Sequence, residues 1–127
     1  MTTQTLTSRS SAFMAGWIML LLISGLATLN HLMLPLYDKN NLVVAMGWVP
    51  FSLYATLVLA IPFPRGERWA WFASWILVIG FALPVLLFDA EGEMKAVVGM
   101  YLTAAVVMAL SLLLTCPTFF VRRMSTE

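Results

Sequence analysis

Charged residues are scarce in this chain of 127 residues, of which only 10% are Asp, Glu, Lys or Arg. A soluble domain carries about 25%, and no polar stretch here is long enough to cover the core of one. With a net charge of +1, the chain also lacks the excess of basic residues that a nucleic-acid-binding surface needs. The shortage of charge therefore argues against a soluble fold, and nucleic acid is not an expected partner.

Residues that carry chemistry are equally few. The single cysteine, Cys116, cannot form a disulfide within the chain, and His31 is the single histidine. No Ser-His-Asp set, HExxH or CxxC motif is present. No charged residue falls in the middle of an apolar run, which argues against a proton- or cation-coupled exporter because such a protein needs a carboxylate within the membrane.

Long apolar runs make up most of the sequence, and 61% of the residues are hydrophobic. A helix crosses a bilayer with about 20 consecutive apolar residues. Four such spans are predicted, over residues 12–36, 42–61, 69–88 and 96–120. Their short connections favour antiparallel neighbours. We therefore predict an all-α integral membrane protein, a single domain over residues 1–127 that folds as a four-helix up-down bundle in the lipid bilayer.

The first span is expected to be a retained helix rather than a signal sequence. Its apolar run exceeds the roughly 7–15 residues of a signal, and the residues before it are barely basic.

The basic residues predict the orientation of the bundle. Five of them fall on one side of the predicted spans and two on the other. The five are Arg9, Arg65, Arg68, Arg122 and Arg123, and the two are Lys39 and Lys95. Short loops with the excess of Lys and Arg stay cytoplasmic. Both termini are therefore expected in the cytoplasm, in a multi-pass protein of the inner (plasma) membrane.

A short hinge separates the second and third spans. Pro62 and Pro64 stop the preceding helix, two arginines follow, and tryptophan is the ring type that settles at the headgroup level of a bilayer. Arg68 is expected to stack on aromatic rings of its own helix. We interpret one set of residues as an interfacial anchor, with a lipid-headgroup or anionic-ligand site as the alternative. The set is Arg65, Arg68, Trp69, Trp71 and Trp75.

One face of the first span carries polar residues. Thr28 lies three residues before His31 and Ser24 seven before it, so the three share a helical face, and Asn30 adjoins them. Polar groups inside a membrane usually face the bundle interior and are candidates for function. The functional hypothesis is a ligand-binding site on these four residues, in which His31 binds a quinone, haem or metal. The structural alternative is that His31 bonds a backbone carbonyl or water.

A metal site would need further ligands, and the metal stays undetermined. Acids on the predicted outer side can complete such a site with His31, although the spacing of a calcium loop is absent and a solvated acidic loop is favoured. These acids are Asp38, Asp89, Glu91 and Glu93. A single histidine cannot supply two haem ligands unless two copies associate.

Other residues indicate close helix packing. Pro50 is expected to kink the second span and to leave a carbonyl for Ser52, Thr56 or a neighbouring helix to satisfy. In the fourth span, Gly99-x-x-x-Thr103 and Ala105-x-x-x-Ala109 place small residues one turn apart, which lets helices approach closely. The pattern supports packing and does not specify a dimer.

The segment Arg65-Gly-Glu-Arg-Trp-Ala-Trp71, together with four spans in a short chain, resembles the small four-helix bacterial inner-membrane proteins of DoxX-like type and the uncharacterised families around them. The resemblance implies an association with quinone-linked redox systems and carries over no site residue. Three functions are considered. The first is an auxiliary or assembly subunit, without catalysis of its own, that packs against itself or a membrane-protein partner. The others are a quinone-, haem- or metal-binding redox subunit using Asn30 and His31, and a transporter of a neutral small solute.

Overall fold

The computed structural model of the chain describes residues 10–37, 42–87 and 94–120. They form four helices, α1 (Ser11–Tyr37), α2 (Leu42–Ala60), α3 (Arg68–Leu87) and α4 (Met94–Phe120). The described residues contain no strand. The predicted all-α fold with four helices is therefore confirmed, and the helix bounds lie close to the predicted spans.

The helices are apolar on the outside as well as the inside. Ser11–Leu34 of α1 and Lys95–Phe120 of α4 are long and apolar enough to cross a membrane, and Gly47–Ala60 and Arg68–Leu83 are shorter apolar stretches. Large hydrophobic side chains are exposed on the outer faces of all four helices. Contiguous exposed apolar surface of this kind is rare on soluble monomers and marks contact with a membrane or another protein.

The four helices do not pack equally. α1 packs against α2 and α4, and α3 packs against α4, whereas α2 and α3 approach each other over a much smaller area. Within the described residues α1 and α3 make no close backbone approach, so they occupy opposite corners of the bundle. One side of the bundle, between α2 and α3, is therefore loosely closed.

A buried aromatic cluster joins three parts of the chain at one end of the bundle. Phe13 near the start of α1, Phe63 in the hinge and Phe119 near the end of α4 have ring centroids 5.0–6.1 Å apart. All three side chains are buried. Because the start of α1, the α2–α3 connection and the end of α4 meet here, successive helices run in opposite directions.

Two tryptophans hold pairs of helices in register. The indole Nε1 of Trp17 donates to the carbonyl oxygen of Leu59 at 2.8 Å, which ties α1 to α2. The Nε1 of Trp71 donates to the carbonyl oxygen of Leu112 at 3.0 Å, which ties α3 to α4. A helical carbonyl has a second lone pair free for such a bond. Each bond therefore fixes how far one helix is shifted along its neighbour.

The hinge reverses the chain within a few residues. α2 ends at Ala60, and the next six residues form turns, in which the amide of Phe63 donates back to the carbonyl of Val58 at 3.1 Å. Gly66 has a φ of +79°, a conformation that glycine adopts without the steric cost of a Cβ atom. The turn brings α3 in antiparallel to α2.

Candidate functional site

The polar residues of α1 face α2 near the middle of both helices. Ser24 and Thr28 are buried and His31 is half-buried. Ser52 and Thr56 of α2, four residues apart, lie opposite them, and Ser52 is buried as well. We call these five residues the α1–α2 polar ladder.

Three hydroxyl groups form the centre of the ladder. Thr56 Oγ1 lies 2.7 Å from Ser24 Oγ and 3.0 Å from Thr28 Oγ1. Thr28 also bonds the carbonyl of Ser24, and Thr56 bonds the carbonyl of Ser52, each at 2.9 Å. The three hydroxyls have one proton each, whereas the four contacts need four. One of the four contacts is therefore always without a proton, and the protons of Thr28 and Thr56 can occupy the remaining three contacts in more than one arrangement.

The imidazole of His31 lies at one end of the ladder. Its Nδ1 is 3.3 Å from Ser52 Oγ, and the hydroxyl of Ser52 donates to the carbonyl of Trp48 at 2.9 Å. With its proton directed to that carbonyl, Ser52 Oγ can accept a hydrogen bond from an Nδ1-protonated imidazole. The ring also stacks on Trp48, with centroids 5.8 Å apart. Ser52 and Trp48 thus hold the ring of His31 in position.

Asn30 lies apart from the ladder on α1. Its side chain is exposed, as expected for a residue turned by about 100° from its neighbour on the helix. The structure therefore brings Ser24, Thr28 and His31 together with two residues of α2.

A small cavity adjoins the ladder at the centre of the bundle. It has a volume of about 10 Å³, and all four helices line it, through residues that include Ser24, His31, Ser52, Gly80 and Tyr101. A cavity needs roughly 10–15 Å³ to hold one water molecule. The space beside His31 is thus the size of a single water.

A larger cleft lies on the loosely packed side of the bundle. It has a volume of about 250 Å³ between α2 and α3. Phe51 and Leu77 line both this cleft and the central cavity, so the two spaces adjoin.

The residues of the predicted interfacial anchor differ in their surroundings. Arg65 is exposed, and Trp69 is half-exposed with its indole donating to the carboxylate of Glu67. Trp71 is buried and bonded to α4, and Trp75 is partly buried against the core. Only part of the set is thus available to headgroups.

Arg68 is held by α4 rather than by its own helix. Its Nε donates to the carbonyl oxygen of Phe119 at 3.2 Å, and its guanidinium lies 5.9 Å from the ring centroid of Phe120. The predicted stacking on aromatic rings of α3 is replaced by this contact. The arginine thus joins the start of α3 to the end of α4 and keeps its terminal amino groups available.

Residues proposed as metal ligands fall largely outside the described part of the chain. Asp38, Asp89, Glu91 and Glu93 all lie outside the described residues. Among the residues that are described, no group of three His, Cys, Asp or Glu side chains is close enough to hold a metal ion. Cys116 is half-buried and packs against the core.

Sequence reasoning underused Ser52 and Thr56. Ser52 bonds the backbone beside Pro50, through the carbonyls of Trp48 and Val49, and Thr56 bonds the carbonyl of Ser52. In addition, both side chains contact polar side chains of α1, which the sequence analysis does not predict. Their spacing of four residues was a usable signal, because it places both hydroxyls on one helical face.

By its fold, the protein is a bundle of four apolar helices in which the polar ladder joins α1 to α2. No protein-family model, curated protein or solved structure matches the chain. The resemblance to DoxX-like proteins stays a prediction.

We expect Thr56→Val to weaken α1–α2 packing by about 1 kcal/mol, because the change removes the hydroxyl shared by Ser24 and Thr28, and one interhelical bond of this kind contributes roughly 0.6–2 kcal/mol. The free energy of unfolding in mixed detergent micelles measures the effect. Thr118→Val is the matched control, since this threonine is exposed near the end of α4 and is not part of the ladder. Equal losses in both variants would contradict a role for the ladder in packing.

Proposed function

We propose that the chain is an integral multi-pass protein of the bacterial inner membrane, with both termini in the cytoplasm, and that it acts as an auxiliary or assembly subunit by packing against a partner in the membrane. The outer faces of all four helices are apolar, and helices of 19–27 residues are about 28–40 Å long, close to the 30 Å of a bilayer core. The exposed Arg65 and Arg68 at the hinge support a cytoplasmic position for that end.

One observation carries the proposed function: the buried polar side chains of the described residues are hydrogen-bonded, either to one another or to backbone carbonyls. Among the described residues, no buried side-chain nitrogen or oxygen lacks a hydrogen-bond partner. A site for chemistry keeps a polar group directed into a space that a ligand can enter. Here the hydroxyls of Ser24, Thr28 and Thr56 are used to join helices, which is the use expected of a packing subunit.

The redox hypothesis is the second candidate, because the central cavity is too small for a quinone or haem. Ligand pockets have volumes of about 300–1,000 Å³, whereas the space beside His31 is about 10 Å³. A quinone ring or haem would enter only if the helices around His31 moved apart. Passage of a neutral solute along the bundle axis would require the same separation.

The outer face of α4 is the surface we assign to a partner helix. A Cβ atom at Gly99 would have no atom of the described residues within 4 Å, so no described part of the bundle covers this position. Thr103, one turn later, is exposed, whereas Ala105 is buried within the bundle. Small residues on an uncovered face let a second helix approach closely.

Native mass spectrometry of the protein extracted in mild detergent tests the proposal. We expect a complex of defined stoichiometry, either with a second copy or with another membrane protein, and we expect Gly99→Leu to dissociate it. Gly25→Leu is the matched control, because a Cβ at this position of α1 also meets no atom within 4 Å. We expect this variant to keep the complex.

Two outcomes would contradict the packing role. Bare monomers from wild-type protein would leave no partner to assign. A monomer carrying a stoichiometric small ligand, lost in His31→Ala, would instead establish the redox hypothesis.

A further inference from the structure

The cleft between α2 and α3 has a volume and a lining that suit a hydrocarbon chain. Its volume is about 250 Å³, and its lining includes Tyr54, Ala55 and Val58 of α2 and Ala73, Ser74 and Ile76 of α3. The one hydroxyl among the α3 residues, that of Ser74, donates to the carbonyl of Ala70 at 2.7 Å and is therefore satisfied within its own helix. Apart from the phenol of Tyr54, the other side chains of this lining are apolar.

The cleft opens to the outside of the bundle. Tyr54 and Ile76, which line it, are 62% and 56% exposed, while Ala55 is buried at its floor. Two turns of a helix about 10 Å across occupy on the order of 800 Å³, several times the volume of the cleft. A single hydrocarbon chain enters such a space, whereas a transmembrane helix only covers its mouth.

The hinge-side end of the cleft lies close to positive charge. Val58 is two residues from the end of α2, and Ala73 is five residues after the start of α3, which is about 3 Å and 7.5 Å along the helix axes. Arg65 and Arg68 are exposed at this end. The only acidic side chain of the hinge, Glu67, accepts a hydrogen bond from Trp69.

The two arginines are available to an anion. Within the described residues, no group pairs with the guanidinium of Arg65. Arg68 donates from its Nε to the carbonyl of Phe119, and among the described residues its terminal amino groups have no hydrogen-bond partner. The planar guanidinium matches phosphate oxygens and binds them through two parallel hydrogen bonds. A phosphate at the hinge thus lies within a few residues of an apolar cleft.

We propose that the cleft and the hinge form a binding site for one anionic phospholipid, with an acyl chain between α2 and α3 and the phosphate on Arg65 and Arg68. This inference rests on the proposed membrane location. Anionic lipids are abundant in the cytoplasmic leaflet, on the side where the basic hinge is proposed to lie. The lipid fills the side of the bundle that its own helices close least.

Native mass spectrometry with added phosphatidylglycerol or phosphatidylcholine of matched acyl chains tests the site. We expect one phosphatidylglycerol to bind at least tenfold more tightly than phosphatidylcholine. Arg65→Gln should weaken that binding about tenfold, whereas Lys95→Gln should not, because Lys95 is an exposed cation at the opposite end of the bundle. Ala73→Phe should fill the cleft and abolish binding, with helix content by circular dichroism as the check on folding.

Other results of these experiments would contradict a stated part of the lipid-site proposal. Equal binding of the two lipids, or no effect of Arg65→Gln, overturns the headgroup assignment and with it the proposal. Loss in Arg65→Gln with full binding in a folded Ala73→Phe variant overturns the assignment of the acyl chain to the cleft. We expect Gly99→Leu to bind the lipid normally, so loss of the partner and loss of the lipid are separate failures. A chain that does not float with phosphatidylglycerol vesicles would overturn both proposals.

Discussion

Replacing Gly16 with valine is expected to separate α1 from α4 and to prevent the bundle from closing. A Cβ atom at this position would lie 2.7 Å from the carbonyl oxygen of Ser111 and 3.0 Å from Cγ2 of Thr115. The carbonyl belongs to the backbone of α4, so it cannot move aside as the end of a flexible side chain can. The two helices therefore cross at a contact that has room for hydrogen alone.

The size of the effect follows from the cost of overpacking. Forcing extra methyl groups into a packed contact costs about 1–3 kcal/mol and occasionally more, and alanine returns about 1 kcal/mol in helix propensity over glycine. We expect Gly16→Ala to lower the free energy of unfolding by up to about 2 kcal/mol, which is the cost of overpacking less the gain in helix propensity. Gly16→Val adds two more methyl groups at the same place and should exceed that loss clearly.

Unfolding of the detergent-solubilised protein, followed by circular dichroism, measures both variants. Gly25→Ala and Gly25→Val are the controls, since they make the same changes on α1 at a position with no atom within 4 Å of a Cβ. Through helix propensity alone, Gly25→Ala should raise the free energy of unfolding by up to about 1 kcal/mol, and Gly25→Val by less. If the substitutions at Gly16 and Gly25 had the same effect, the α1–α4 crossing would not be as close as described.

The second large effect is expected at the aromatic cluster. Phe63 is fully buried, and its ring centroid lies 6.1 Å from that of Phe13 and 5.0 Å from that of Phe119. Phe63→Ala leaves a cavity where the start of α1, the hinge and the end of α4 meet. Removing a buried phenylalanine costs about 3–5 kcal/mol, and we expect a loss near the lower end because lipid also solvates the ring in the unfolded chain.

Hydrogen exchange distinguishes this loss from a general weakening. We expect amide hydrogen exchange to become faster at the hinge and at the adjoining ends of α1 and α4. Near the polar ladder the increase in exchange rate should be smaller. Phe72→Ala is the control, because this phenylalanine is 59% exposed and its removal leaves no closed cavity. An equal loss of stability in the control, or uniform exchange along the helices, would show that the cluster does not hold the hinge end together.

The polar ladder shows where prediction from sequence ends. Spacing along one helix is a local property, so the shared face of Ser24, Thr28 and His31 could be read from positions alone. Their partners Ser52 and Thr56 depend on the rotation of α2 about its axis and on its shift along α1. Neither quantity is encoded in the spacing of α1.

Trp71 illustrates the same limit at the hinge. A tryptophan close to a basic hinge is typical of an anchor at the membrane surface, and Trp69 next to Glu67 has the exposure expected of one. Trp71 lies only two residues further, yet it is buried because α4 covers its side of α3 and offers the carbonyl of Leu112. Contact with α4 therefore determines which of the two environments Trp71 occupies.

The sequence by itself determined the four helices, their bounds and the hinge, because apolar run length, proline and glycine act on their own segments of chain. It also determined which residues of α1 share a polar face. Only the tertiary structure decided that the ladder closes on itself, that Gly16 meets the backbone of α4 and that α2 and α3 leave a cleft between them. Between apolar helices, these features depend on the fit of particular side chains at each crossing, and that fit exists only once the helices are side by side.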